Sequence, residues 1–326
     1  MATPSIPKLL LALHAAYLHA SIVPLPFYER LHFALVSGLI QEGLMPPGAI
    51  VDVGANTGDA TCFYARLDQN RTVIAMETSQ YNIRLIRRQA RCGHNVAIVH
   101  AGIGSHNGVM HPQGSNRDLA MQLRSSDSAF PICRLDSLFG LAPFEKVDVL
   151  QRLKGRTFAG KQLGFFHLDV EGAEEQALRG SRALIARDQP IIIAEVTPQP
   201  DNNETLAVAV TVVRMLQEME YLVLLIDEVC GIEHFCRNAL CLPRSRLGVL
   251  VKSAVLDIAV ATAALRLVRK PKDILDMPAT KFTHEGAVIA KRQYRRAERL
   301  ITRPTGLSNV GESLDSFSDL VAAFKW

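Results

Sequence analysis

From residue 48 onward, short apolar runs alternate with stretches in which apolar residues recur every three or four positions. The apolar runs predict strands near 50–53, 72–76, 96–99, 164–168, 190–194, 221–226 and 239–243, and the periodic stretches predict helices over 59–67, 79–91, 173–186 and 204–219. Asp201, Asn202 and Asn203 supply capping side chains for the last of these. Strand and helix in strict alternation are the pattern of a mostly parallel, doubly wound α/β sheet. Upstream, residues 7–20 and 27–42 predict N-terminal helices, separated from the first strand by a turn over Gly43 to Gly48 that holds Pro46 and Pro47. Downstream, Leu247 to Arg266 is apolar for nearly the length of a bilayer span, but Lys252 and Asp257 interrupt it. At about 2.5–3.5 kcal/mol for each charge in lipid, an amphipathic helix docked on the domain or on a second protomer is the better reading. The chain therefore divides into an N-terminal helical segment (1–47), an α/β domain (48–245) and a helical C-terminal extension (246–326), with a weakly ordered tail from Thr305.

Composition narrows the picture. A chain of 326 residues that is 48% hydrophobic can bury a sizeable core. The net charge of +4 is unevenly placed: residues 244–303 carry an excess of nine positive charges, so the remainder carries five negative ones. That balance argues against nucleic acid as partner of the α/β domain. The basic residues Arg266, Arg269, Lys270 and Lys272, with Lys291 to Arg296, read as a solvated helix face, with an acidic partner or an anionic membrane surface as the alternative. Six cysteines, none in a C-x-x-C pair, read as reduced thiols without zinc. In residues 7–20, one lysine precedes the apolar part and two histidines interrupt it, which fits a packed helix better than a cleaved leader and points to a cytoplasmic protein.

The chemistry gathers at predicted strand ends. Directly after the first strand run comes Asp52-Val-Gly54-Ala55-Asn56-Thr57-Gly58-Asp59, and Glu77 closes the next run. A strand that breaks at one glycine and restarts as a helix near another brings backbone close to a ligand, and an acid roughly 20 residues on suits the hydroxyls of a ribose. Asp52 chooses among nucleoside cofactors. It would repel the pyrophosphate of a dinucleotide but attract the sulfonium and ammonium of S-adenosylmethionine, and the third glycine of G-x-G-x-x-G is missing. A second cluster, Phe165-Phe-His167-Leu-Asp169-Val-Glu171-Gly172-Ala-Glu174, spans the end of a later strand, and Glu195 ends the one after it. Asp52, Glu77, Asp169 and Glu195 thus converge beyond the carboxyl ends of the sheet, where doubly wound folds bind ligands.

Taken in order, VDVGANTGD, Glu77, RLDSL at 134–138, LDVEGAEEQALRG at 168–180 and PIIIAE at 190–195 resemble the FkbM family of S-adenosylmethionine-dependent methyltransferases, over roughly residues 48–245. Two departures stand out: Thr78 where the family usually has proline, and His167 where it often has lysine. The resemblance implies a Rossmann-like, class I methyltransferase sheet and O-methylation of a small molecule or glycan, with the long segment from Gly104 to Gly164 bordering the substrate. Asp52, Gly54, Ala55, Asn56, Thr57 and Gly58 are expected at the methionine end of the cofactor, Glu77 at the ribose, and Gly102 and Ile103 near the adenine.

As bases for removing the acceptor's proton, Asp169, Glu171 and His167 rank in that order. A carboxylate beside Glu195 would have a raised pKa, which suits proton abstraction near neutral pH. The same acids could hold a divalent cation, yet no closed ligand set can be named, so no metal is expected. Glu174 is expected in the first turn of its helix, partnering the helix dipole. The competing reading is a catalytically silent domain that keeps the fold as an interaction or membrane-associated module. A homo-oligomer stays open.

Overall fold

A computed structural model describes residues 30–88, 93–110, 129–144, 153, 157–196, 203–226, 237–261, 265–276 and 316–323. In chain order the elements are α1 (Arg30–Gln41), β1 (Ala49–Val53), α2 (Asp59–Leu67), β2 (Val73–Glu77), α3 (Gln80–Arg88), β3 (Val96–His100), β4 (Gly102–Ile103), β5 (Gly108–Met110), β6 (Phe130–Cys133), α4 (Leu135–Leu138), β7 (Leu163–Leu168), α5 (Glu174–Gly180), α6 (Arg182–Asp188), β8 (Ile191–Val196), α7 (Asn203–Glu218), β9 (Tyr221–Ile226), β10 (Arg237–Pro243), α8 (Leu247–Leu250), α9 (Ala254–Ala261), β11 (Leu265–Leu267), α10 (Asp273–Asp276) and α11 (Phe317–Ala323). The contacts divide the chain into two units, residues 46–195 and residues 1–45 with 196–326.

In the first unit the strands lie in the order β8, β7, β1, β2, β3, with every neighbouring pair parallel. The chain winds outward from β1 to β3 and then returns to β7 on the other side of β1, so the direction of winding switches between β1 and β7. This is the doubly wound sheet that the alternation predicts. β1, β2, β7 and β8 are buried along their whole length. Continuous apolar runs rather than alternating ones follow from covering both faces of a parallel sheet. The segment after β3 departs from the expected long loop: β4, β6 and β5 form a separate three-stranded sheet. Its strands of two to four residues are too short to show a period. The helix expected over 173–186 is two, α5 and α6, broken at Ser181, whose hydroxyl bonds back to the Ala177 carbonyl at 2.7 Å.

In the second unit β9 lies between β10 and β11 and is antiparallel to both. The single helix expected over 247–266 is instead α8, α9 and the strand β11. Ser253 explains the break. Its hydroxyl accepts the Leu256 N–H at 3.2 Å as the cap of α9, while Glu42, just past α1, accepts the Val255 N–H at 3.1 Å and the Ser253 hydroxyl. The tail reading is corrected in part. Phe317 and Leu320 of α11 are buried, and Asp257 of α9 accepts the Phe317 N–H at 2.8 Å. The predicted helix at 7–20 and the basic run 291–296 lie outside the described residues. Among those described, no helix is long and apolar enough to cross a membrane. Cys62 is disulfide-bonded, against the expectation of reduced thiols throughout. Cys133 and Cys241 are free and buried, and burial pushes the Cys133 thiol up to about 12.

Candidate active site

Glu77 is the last residue of β2, beside the turn that follows β1. Its carboxylate accepts the Asn56 N–H and the Ser79 N–H, both at 2.7 Å, one on each oxygen. Burial pushes the Glu77 carboxyl above its ordinary value of 4.5, and these backbone bonds pull it back. Asn56 is exposed and has φ 47°, in the left-handed region that Asn tolerates better than most residues. Ala55 is buried against Ala75 and Ile86, which anchors the turn on β2 and α3. Thr57 donates its hydroxyl to Asp59 at 2.8 Å in the first turn of α2. Gly102 lies next to Thr78, at 3.3 Å from where a Cβ would sit, so β4 borders the tip of β2, with Ile103 buried beyond it. His100 contacts the Thr78 carbonyl through Nε2 at 2.8 Å and fixes that corner.

The two glycines of the turn have separate reasons. At Gly54, φ is +80°, and a Cβ there would overlap the Asp169 carbonyl oxygen, so what approaches this glycine is the loop after β7. At Gly58, φ is +96°, and a Cβ would press on the Ile86 side chain of α3.

Asp52 is fully buried. One carboxylate oxygen accepts the Thr61 hydroxyl and the other meets His167 Nδ1 at 2.8 Å. Asp52 and His167 are register partners across the β1–β7 pair. His167 is 2% exposed, with its ring edge-to-face on Tyr64 of α2 at 5.8 Å. Thr61 is the member of this network that sequence reasoning missed, because a threonine in helical period carries no signal of its partner.

The acids after β7 and β8 do come together. One oxygen each from Asp169, Glu171 and Glu195 lies within 4.8 Å of the others. Asp169 directly follows β7 and Glu195 is the penultimate residue of β8, adjacent parallel strands, so the sheet places them side by side. Glu171 is exposed at φ 51° and is followed by Gly172 at φ 100°, a tight bend stapled by Glu174. Glu174, in the first turn of α5, accepts the Gly172 N–H at 3.1 Å and the Val170 N–H at 3.3 Å. These bonds are what the spacing of D-V-E-G-A-E encodes. Burial first, then the charges of Asp169, Glu171 and Glu174, hold the Glu195 carboxyl well above its ordinary value. The three could each offer an oxygen to a divalent cation.

A doubly wound parallel sheet with a glycine turn and acids at its carboxyl-end tips defines a Rossmann-like, class I methyltransferase fold. The methyltransferase FkbM domain matches residues 52–224, more than half of the chain, and the chain belongs to that family. Solved structures similar to it include methyltransferase FkbM from Methylobacillus flagellatus KT, with 12% identity and a TM-score of 0.39, covering 72% of this chain and 60% of that one. A putative O-methyltransferase from Klebsiella pneumoniae has 15% identity and a TM-score of 0.39, covering 74% and 91%. Aeropyrum pernix fibrillarin, in complex with natively bound S-adenosyl-L-methionine, has 10% identity and a TM-score of 0.38, covering 65% and 74%. The chain thus spans about three-fifths of the length of the first of these. Comparison with curated protein sequences yields no match.

Proposed function

We propose that the chain is an S-adenosylmethionine-dependent methyltransferase acting on a hydroxyl or carboxyl oxygen of a small molecule or glycan. The observation that carries this reading is the state of Glu77. Two backbone N–H donors fix its carboxylate at the tip of β2, one on each oxygen. A carboxylate oxygen has room for a second donor, so the group is oriented and still able to accept from a ribose diol. The same negative charge disfavours a phosphate on that ribose. Membership of the FkbM family supports transfer of a methyl group.

When bound, the cofactor supplies a methyl group on a cationic sulfur. Gly54, Ala55, Asn56, Thr57 and Gly58 would hold its methionine end, Glu77 its ribose, and Gly102 and Ile103 its base. Asp52, closed off by Thr61 and His167, serves from beneath by tying β1, α2 and β7 together under the turn. His167 belongs to that network, which leaves Asp169, ahead of Glu171, as the base that takes the acceptor's proton. Glu195 lies beside it, its carboxyl held above the ordinary value by burial and then by the charge of Asp169. Glu171, exposed at the bend, faces the acceptor side.

Calorimetric titration of the full chain with S-adenosylmethionine and, in parallel, NAD tests the cofactor. The first is expected to bind and the second not; the reverse outcome overturns the reading. In a screen of acceptors under labelled donor, Asp169→Asn is expected to lose roughly 10²–10⁴-fold in turnover while donor affinity stays within about twofold. Donor binding without transfer to any acceptor would favour the silent module instead.

A further inference from the structure

We infer that Asn82 is a positioning residue for the cofactor turn, acting through the side chain of Asn56; this rests on reading that turn as the cofactor site. Four residues close a ring around the tip of β2. Glu77 accepts the Asn56 N–H on one oxygen and the Ser79 N–H on the other. The Asn56 side-chain oxygen accepts from Asn82 Nδ2 at 3.2 Å, and the Asn82 N–H points back to the Ser79 hydroxyl at 3.4 Å. Asn82 sits in the first turn of α3 and is 7% exposed, on the buried side of the helix with Ile83 and Ile86. An apolar residue would suit that side of the helix better, and a buried amide costs stability unless it is bonded. Its bond to Asn56 is the compensation.

The consequence lies at the backbone of Asn56. Asn adopts the left-handed region more readily than most residues but less readily than glycine, so Asn56 is freer to leave it when its side chain is released. Relaxation would swing the Asn56 N–H away from Glu77, and the carboxylate would lose the backbone donor that holds its Oε2. The same helix supports the turn a second way, through Ile86 under Gly58 and Ala55. Asn82 is thus the polar half of a contact by which α3 sets the shape of the turn.

Two measurements on the full chain test this, with Asn82→Ala, Asn56→Gly and the double variant. Glycine adopts the left-handed conformation unaided, so the double variant isolates the pathway through Asn56. In the free chain, hydrogen exchange at the Asn56 amide is expected to speed up in Asn82→Ala. Affinity for S-adenosylhomocysteine, by calorimetry, is expected to fall about fivefold, the worth of one ordinary hydrogen bond, and Asn82→Ala is expected to add nothing further once residue 56 is glycine. Unchanged exchange, or an equal loss of affinity in both backgrounds, overturns the inference. If Asn82→Ala does not fold, Asn82→Leu removes the donor while filling the space and is read the same way. Exchange that responds as expected in a wild-type chain that binds no S-adenosylhomocysteine would instead sink the cofactor reading and leave the latch on the turn standing.

Discussion

Glu195 shows what a single side chain contributes when three others of like charge surround it. Its carboxyl pKa lies above 4.5 in the fold, so its favourable share of stability is complete below about pH 4.5 and is lost as the pH rises through the folded value. A neutral isostere escapes that loss. Glu195→Gln is therefore expected to unfold at a higher temperature than the wild type near pH 8, with the difference vanishing near pH 4. Thermal melts across that range check the sign. The positions of Glu77, Asp169 and Glu195 were legible in the sequence, because each closes an apolar run. What Asp52 and His167 touch was not. Their contact depends on β1 pairing with β7 in one register across 115 positions of chain, and no local pattern encodes that. Gly54 was legible as a glycine that must be one, but for another reason: the neighbour it admits is the Asp169 carbonyl.

At the level of elements, alternation predicted all seven long strands to within about two residues, since strands buried on both faces, parallel or antiparallel, are continuous apolar runs bounded by polar turns. The apolar stretch from Leu247 was read as one helix, whereas in the fold it is broken at Ser253 and its polar groups serve as caps. Asp257 receives the first N–H of α11, and Ser253 with Glu42 receives those of α9. Glu42→Ala is accordingly expected to destabilise the chain by about 1 kcal/mol, as loss of a helix cap does, with a matching drop in the denaturation midpoint in urea and no change in the slope. Gly38 of α1 packs directly on Val255 of α9, so these two helices are joined by shape as well as by the carboxylate. The short strands β4, β5 and β6 escaped notice because two to four residues cannot display a period.

For the whole molecule, the last described helix belongs to the folded structure. Phe317 and Leu320 are fully covered, and burial of such side chains contributes about 1.5–3 kcal/mol each. Removing residues 316–326 is expected to lower the unfolding free energy by a few kcal/mol, read from the urea midpoint; an unchanged midpoint would mean that the helix contributes nothing in solution. The first unit, residues 46–195, has a different internal economy, centred on one seam. There a carbonyl oxygen of the loop carrying Asp169 takes up the space that a side chain on Gly54 would need. The turn after β1 and the loop after β7 thus meet through main chain rather than through exchangeable side chains. Any side chain placed on Gly54 must push that loop away from the turn.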